Sequence, residues 1–113
     1  MHDPKAQLIS YLGANVADAY GSVPQDAPPE FLTVELTGDS DTGYSTSPTF
    51  AVQAWSDTDA NAGALSLRVM EAMRSYAYEP HVRKCSLNKR YEYPDPETRK
   101  PRYQLVYDLV VQD

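Results

Sequence analysis

From Arg102 to Val111 the chain alternates without a break. Tyr103, Leu105, Tyr107, Leu109 and Val111 share one parity, and Arg102, Gln104, Val106, Asp108 and Val110 share the other. A period of two sends successive side chains to opposite faces of a sheet, so this stretch predicts a strand and excludes a helix. Two earlier stretches repeat the pattern. In Phe31–Thr37, Leu32, Val34 and Leu36 face away from Thr33, Glu35 and Thr37; in Thr49–Trp55, Phe50, Val52 and Ala54 face away from Ala51, Gln53 and Trp55. A fourth strand is expected over Val82–Tyr93, more charged than the others, with Val82, Cys85, Leu87 and Tyr91 as its apolar members. Strands with one apolar face need a cover, and the rest of the chain must supply it.

Two segments have helical spacing. Asp3-Pro4 is a helix start, because Asp accepts from the first free N–H groups and Pro loses nothing at the first helical position. Leu8, Leu12 and Val16 then recur every four residues, with Ile9, Tyr11 and Ala19 beside them, which predicts a helix over 4–19 that stops at Gly21. The second follows Ser56-Asp57-Thr58-Asp59, which supplies caps and first-turn carboxylates. Its apolar face runs Ala62, Leu65, Val69, Ala72, Met73 and Tyr76, and Pro80 ends it. Val23–Pro29 cannot be helical and reads as an extended connector. Gly38–Pro48 holds eleven residues with one aromatic and no aliphatic, the composition of a mobile loop at the tip of an oversized hairpin. The expected fold is α+β: a single domain over 1–113, element order α-β-β-α-β-β, with a four-stranded antiparallel-rich sheet packed by two helices and a long polar loop at 38–48.

Chemistry is scarce. A single cysteine excludes an internal disulfide and a cysteine-based zinc site. No secretory core or membrane-spanning stretch is present, which predicts a soluble cytosolic protein. Asp41-Thr42-Gly43 matches the active-site tripeptide of dimeric aspartic proteases, but Gly38-Asp39-Ser40 precedes it where a buried apolar strand would be needed to hold the carboxylate. Asp39-Ser40-Asp41 starts like an EF-hand calcium loop, yet Tyr44 and Phe50 stand where the loop requires Gly and Glu. His81 and Cys85 lie four residues apart on one strand, roughly 13 Å, too far for a nucleophile–base pair. Cys85 reads as a small core hydrophobe, His81 as a surface residue at a strand start, and His2 as part of the terminus. No phosphate loop, nucleophile elbow or zinc-protease motif occurs. The expectation is a protein that is not an enzyme, with no cofactor and no metal.

Charge is more informative when divided. Residues 1–80 hold three basic and eleven acidic residues, a net of −8; residues 81–113 hold seven basic and five acidic, a net of +2, giving the whole chain −6. An acidic whole argues against duplex DNA as the main partner. Opposite charge on two parts of one domain favours head-to-tail contacts between copies. Lys89, Arg90, Arg99, Lys100 and Arg102 interleave with Tyr91, Tyr93 and Tyr103, a pattern compatible with a protein interface, a nucleic-acid or peptide surface, or a solvated hairpin. The nine tyrosines suit a sheet whose second face meets another copy. The candidate interface residues are Asp41, Tyr44, Arg90, Tyr93, Arg99, Lys100 and Arg102.

The order of these pieces resembles a known family. The segments VADAYGSVPQDAPPEFLTVELTG, SPTFAVQAWSDTDANAGALSLRVMEAM and YPDPETRKPRYQLVYDLVVQD, taken with the Asp-Pro helix, resemble the small tail terminator proteins of long-tailed bacteriophages from about Lys5 to Gln112. The matching features are a proline-bearing connector, a strand ending in Gly38, a strand with Phe50, Val52 and Trp55, an Ala-rich helix, and Pro101-Arg102-Tyr103 leading into the last strand. The resemblance implies a structural subunit of a hexameric ring. Such a ring caps the completed tail tube, stops its polymerisation and presents a surface to the head completion or neck protein, while DNA passes through the lumen without specific binding. It further implies a place in the virion tail or neck, assembly in the host cytoplasm, no membrane, and a 38–47 loop that orders on ring or tube contact.

Overall fold

The computed structural model describes residues 3–41 and 43–112. His2, Thr42 of the Asp-Thr-Gly tripeptide and Asp113 lie outside the described residues. Helix α1 spans Pro4–Asn15; strands β1 (Ala19–Tyr20), β2 (Phe31–Gly38) and β3 (Thr49–Trp55) follow, then helix α2 (Asp59–Tyr76) and strands β4 (Val82–Glu92) and β5 (Arg102–Val111). The fold is α+β, with one mixed sheet in the order β1-β2-β3-β5-β4 and both helices on one of its faces.

The helices start as their caps require. Asp3 Oδ1 accepts from the N–H groups of Lys5 (3.1 Å) and Ala6 (3.3 Å), and Thr58 Oγ1 accepts from Asn61 N–H (3.1 Å). Each such cap stabilises its helix by about 1 kcal/mol. The end of α1 differs from expectation: the helix stops at Asn15, not at residue 19. The N–H groups of Val16 and Ala17 both turn back to Leu12 O, which closes the last turn early. Ala19 and Tyr20 are thereby freed to pair in parallel with Leu32 and Thr33. The sheet thus has five strands instead of four. A two-residue strand is too short to carry an alternation, which is why no periodicity marks it.

The covered face of the sheet carries the parity expected of it. Leu32 and Val34 of β2, Phe50, Val52 and Ala54 of β3, and Leu105, Tyr107, Leu109 and Val111 of β5 join Leu8 and Leu12 of α1 and Leu65, Val69, Met73 and Tyr76 of α2 in one buried cluster. Tyr11 hydroxyl donates to Ala72 O (2.7 Å) and its ring meets Tyr76 at 4.6 Å, locking the two helices together. Leu36 keeps the inward parity but falls outside the cluster and is exposed.

Strand β4 explains its own uneven apolar spacing. Register shifts between Val82 and Lys84 and between Leu87 and Lys89 each add one residue to the strand. These bulges put Val82, Cys85, Leu87 and Arg90 opposite Val111, Leu109, Tyr107 and Leu105, all on the helix side, although their numbers differ in parity. Tyr91 pairs with Gln104 and faces the other way.

The 38–48 connection is more ordered than its composition predicts. Thr46 N–H donates to Val111 O and Val111 N–H to Thr46 O (2.9 Å each), and Asp41 bridges to Thr46. It is therefore a paired arm projecting past the sheet, and not wholly a mobile loop. Backbone groups satisfied by a neighbouring strand need no apolar side chain to hold them.

Candidate functional site

The sheet face that the helices leave bare carries the most organised polar structure in the molecule. Its residues are Phe31, Thr33 and Glu35 of β2, Ala51, Gln53 and Trp55 of β3, Arg102 and Gln104 of β5, and Tyr91 of β4. The register lines up Thr33, Gln53, Gln104 and Tyr91 in one row across four strands. That row is joined end to end by side-chain hydrogen bonds. Trp55 Nε1 donates to Thr33 Oγ1 (2.9 Å), Thr33 hydroxyl donates to Gln53 Oε1 (2.7 Å), Gln53 Nε2 donates to Gln104 Oε1 (2.7 Å), and Gln104 Nε2 donates to Tyr91 hydroxyl. Thr33 and Gln53 are each only 5% exposed, so both amide and hydroxyl need these partners.

At the Phe31 end of this row the rings stack. Phe31 and Trp55, paired in register, lie 5.3 Å apart with planes 10° from parallel, and Tyr20 meets Phe31 edge-on at 6.2 Å. Two cations cover the stack. Arg102 Cζ sits 4.8 Å from the Trp55 centroid and 4.5 Å from that of Tyr93, while Lys100 Nζ sits 5.5 Å from Phe31. Cation–π contacts of this kind contribute about 0.5–1 kcal/mol each at exposed sites. Arg102 Nε also donates to Tyr93 O (2.6 Å), which ties the two ends of the β4–β5 hairpin. The hairpin tip closes through Asp95: Thr98 hydroxyl donates to its carboxylate (2.6 Å) and Arg99 N–H donates to Asp95 O (2.8 Å), with Arg99 at φ +62°. The Thr98 bond holds the Asp95 carboxyl below the usual carboxylate range.

A cleft of about 480 Å³ runs along this face. Trp55, Tyr93 and Arg102 line it at one end, Glu35 and Thr37 lie toward the other, and Val23 of the connector also contributes to its wall. Its volume is in the range of clefts that seat a ligand or a few side chains of a partner.

The seven interface residues expected from sequence do not form one patch. Tyr93, Lys100 and Arg102 gather at the Phe31–Trp55 end of the uncovered face, with Arg99 exposed at the hairpin tip beside them. Arg90 lies on the opposite face. Its Nε donates to Ser66 Oγ (2.8 Å), another of its nitrogens reaches Gly63 O (3.4 Å), and its guanidinium covers Tyr103 at 4.6 Å, so it packs α2 onto the sheet. The bulge after Leu87 is responsible, and no residue type in β4 announces it. Asp41 and Tyr44 sit at the far end of the sheet, on the arm. Sequence reasoning missed Thr33, Gln53 and Gln104. Their outward parity was legible, but the register that aligns them was not.

His81 and Cys85 also find places. His81 is half-buried and not a bare surface residue: its ring meets Tyr76 edge-on at 5.7 Å, with Nε2 3.1 Å from the Tyr76 hydroxyl. Cys85 is packed against α2, and burial pushes its thiol up to about 11, which keeps it in the unreactive thiol form at neutral pH. Among the described residues no group of three or more His, Cys, Asp or Glu side chains could hold a metal ion, and no helix is long and apolar enough to cross a membrane.

The sequence matches no family model and no curated protein. Its fold is shared. A chain from the virion of a native gene transfer agent particle superposes over 97% of this chain and 87% of its own length, with a TM-score of 0.60 and 17% identity. At that identity the likeness establishes a common α+β architecture over essentially the full chain.

Proposed function

We propose that the protein is a structural component of a phage-like virion, of tail-terminator type. Copies form a ring, a hexamer by the family resemblance, that caps the completed tail tube and stops its growth. The ring then offers its other surface to the head completion or neck protein. DNA passes through the lumen without specific contacts, assembly takes place in the host cytoplasm, and no catalysis is involved. The observation that carries this reading is the fold likeness to a virion chain across nearly the whole length of both chains. It agrees with the independent resemblance of three sequence segments to tail terminators. Two features of the molecule suit the role. The sheet leaves one face without helices, and the most exposed aromatic side chain, Tyr44, stands at the end of the sheet away from the Trp55–Arg102 cluster.

The alternative reading, a module built on the basic Tyr-rich hairpin that binds nucleic acid or a peptide partner, has less support. Lys100 and Arg102 are already stacked on rings of their own chain, and Arg90 faces α2. Base stacking would have to displace them. Mass photometry of the purified chain, alone and with the tail tube protein, tests the proposal: closed rings of one stoichiometry are expected, and monomers under both conditions overturn it. Titration with oligonucleotides across a salt series tests the alternative, which requires a steep loss of affinity as salt rises.

A further inference from the structure

The arm between β2 and β3 leaves the sheet at one end, and the Trp55, Tyr93 and Arg102 part of the cleft on the uncovered face lies toward the other. The arm is fastened at its base by the paired Thr46–Val111 bonds and by Ser47 N–H donating to Ser40 O (2.7 Å). At its tip Gly43 takes φ +89° and its N–H donates to the Asp41 carboxylate (2.7 Å). Tyr44, the next residue, is 90% exposed. A tyrosine has only two side-chain torsions to order when a partner buries it.

The cleft offers what this tip lacks. Its lining includes Trp55, Tyr93, which is 42% exposed, and Val23 of the connector, which is 53% exposed. Arg102 covers its Trp55 and Tyr93 rings, Lys100 sits over the adjoining Phe31, and among the described residues neither is within ion-pair distance of a carboxylate. Asp39 and Asp41, the two acids of the arm, are likewise without an ion-pair partner among the described residues. Among the described residues Glu35 is the one carboxylate lining the cleft; it lies toward the opposite end, where it accepts from Gln53 Nε2 (3.5 Å). The arm cannot serve its own cleft, because its base is bound to β5 and its tyrosine stands in solvent.

We propose that the arm of one copy docks in the cleft of the next, with Tyr44 seated against Trp55 and Tyr93 and with Asp39 and Asp41 facing Arg102 and Lys100. The proposal rests on the ring reading above and assigns its contact. One copy uses its arm and the next its cleft, so the contact is heterologous and repeats around a closed ring.

Two variants at exposed positions test it, Tyr44→Ala in the arm and Val23→Glu in the cleft, the second placing a negative charge in the lining that would receive an acidic arm. Mass photometry over a concentration series is expected to show each variant associating only at concentrations about 30-fold or more above those of the native chain, as for loss of a central interface anchor. An equimolar mixture retains one intact contact, the arm of the Val23→Glu copy in the cleft of the Tyr44→Ala copy, and should give dimers without rings. Either variant assembling at native concentrations, or a mixture behaving like the single variants, overturns the arm-in-cleft contact and leaves the ring reading standing. If the Tyr44→Ala ring forms normally but no longer binds the tail tube protein, the arm belongs to the tube. A native chain that stays monomeric with and without tube protein overturns both.

Discussion

On the helix side of β3, Phe50, Val52 and Ala54 disappear into an apolar cluster. One residue over, on the bare side, Gln53 is buried almost as deeply among Thr33, Gln104 and the Trp55 wall. The two faces of the same strands therefore exclude water by different means. The covered face does so with hydrocarbon, whose attraction is non-directional and tolerant of repacking. The bare face does so with a row of hydrogen bonds and stacked rings, whose geometry must be right and whose members depend on each other. The first suits a core. The second suits a surface that keeps its shape while waiting for a partner.

Truncations on the two faces probe that contrast, beginning with the greatest expected loss. Leu105→Ala, at the centre of the covered face, should cost roughly 3–4 kcal/mol in urea unfolding. Gln53→Ala should cost about 2 kcal/mol, because it strands the Thr33 hydroxyl and the Gln104 carbonyl. A loss equal to that of Leu105→Ala would mean that the bare face acts as a second core. Arg102→Ala should cost about 1 kcal/mol by removing the cation from Trp55 and Tyr93, and should make Trp55 fluorescence more accessible to a neutral quencher such as acrylamide. No change in quenching would show that the stack holds without its cover.

The smallest effect is pH-dependent. The Asp108 carboxyl is held below its usual value by hydrogen bonds from Thr49 and Asn88. A carboxyl lowered on folding stabilises the fold above its unfolded value of about 3.9, and that contribution disappears as pH falls through the lower folded value. Asp108→Asn should therefore be slightly less stable near neutrality and show a shallower loss of stability below about pH 4 than the native chain. Parallel acid-unfolding curves for the two would show that the Thr49 and Asn88 bonds do not hold the Asp108 carboxyl down.

Much of this architecture can be read along the chain. Asp3-Pro4 and Ser56–Asp59 mark both helix starts, because capping depends on residues adjacent in sequence. The alternations at Phe31–Thr37, Thr49–Trp55 and Tyr103–Val111 mark three strands and which residues face the core. The two-residue β1 was not legible, since it depends on Leu32 N–H reaching Asp18 O (2.8 Å) across the connector; the early end of α1, closed by Val16 and Ala17 N–H on Leu12 O, carries no periodic signal of its own. The mixed parity of β4 was visible but uninterpretable until its bulges were seen against β5.

The site divides in the same way. Sequence alone determined that Thr33, Gln53 and Gln104 share a face, that the early part of the chain is acidic and the late part basic, and that Tyr44 sits among polar neighbours. These follow from spacing and composition, which are local. Only the tertiary structure decided that Thr33, Gln53, Gln104 and Tyr91 form one row, that Arg90 leaves the basic group to pack α2, and that arm and cleft stand at opposite ends of the sheet. Those facts depend on register between strands far apart in sequence, and a shift of one residue would send every side chain to the other face.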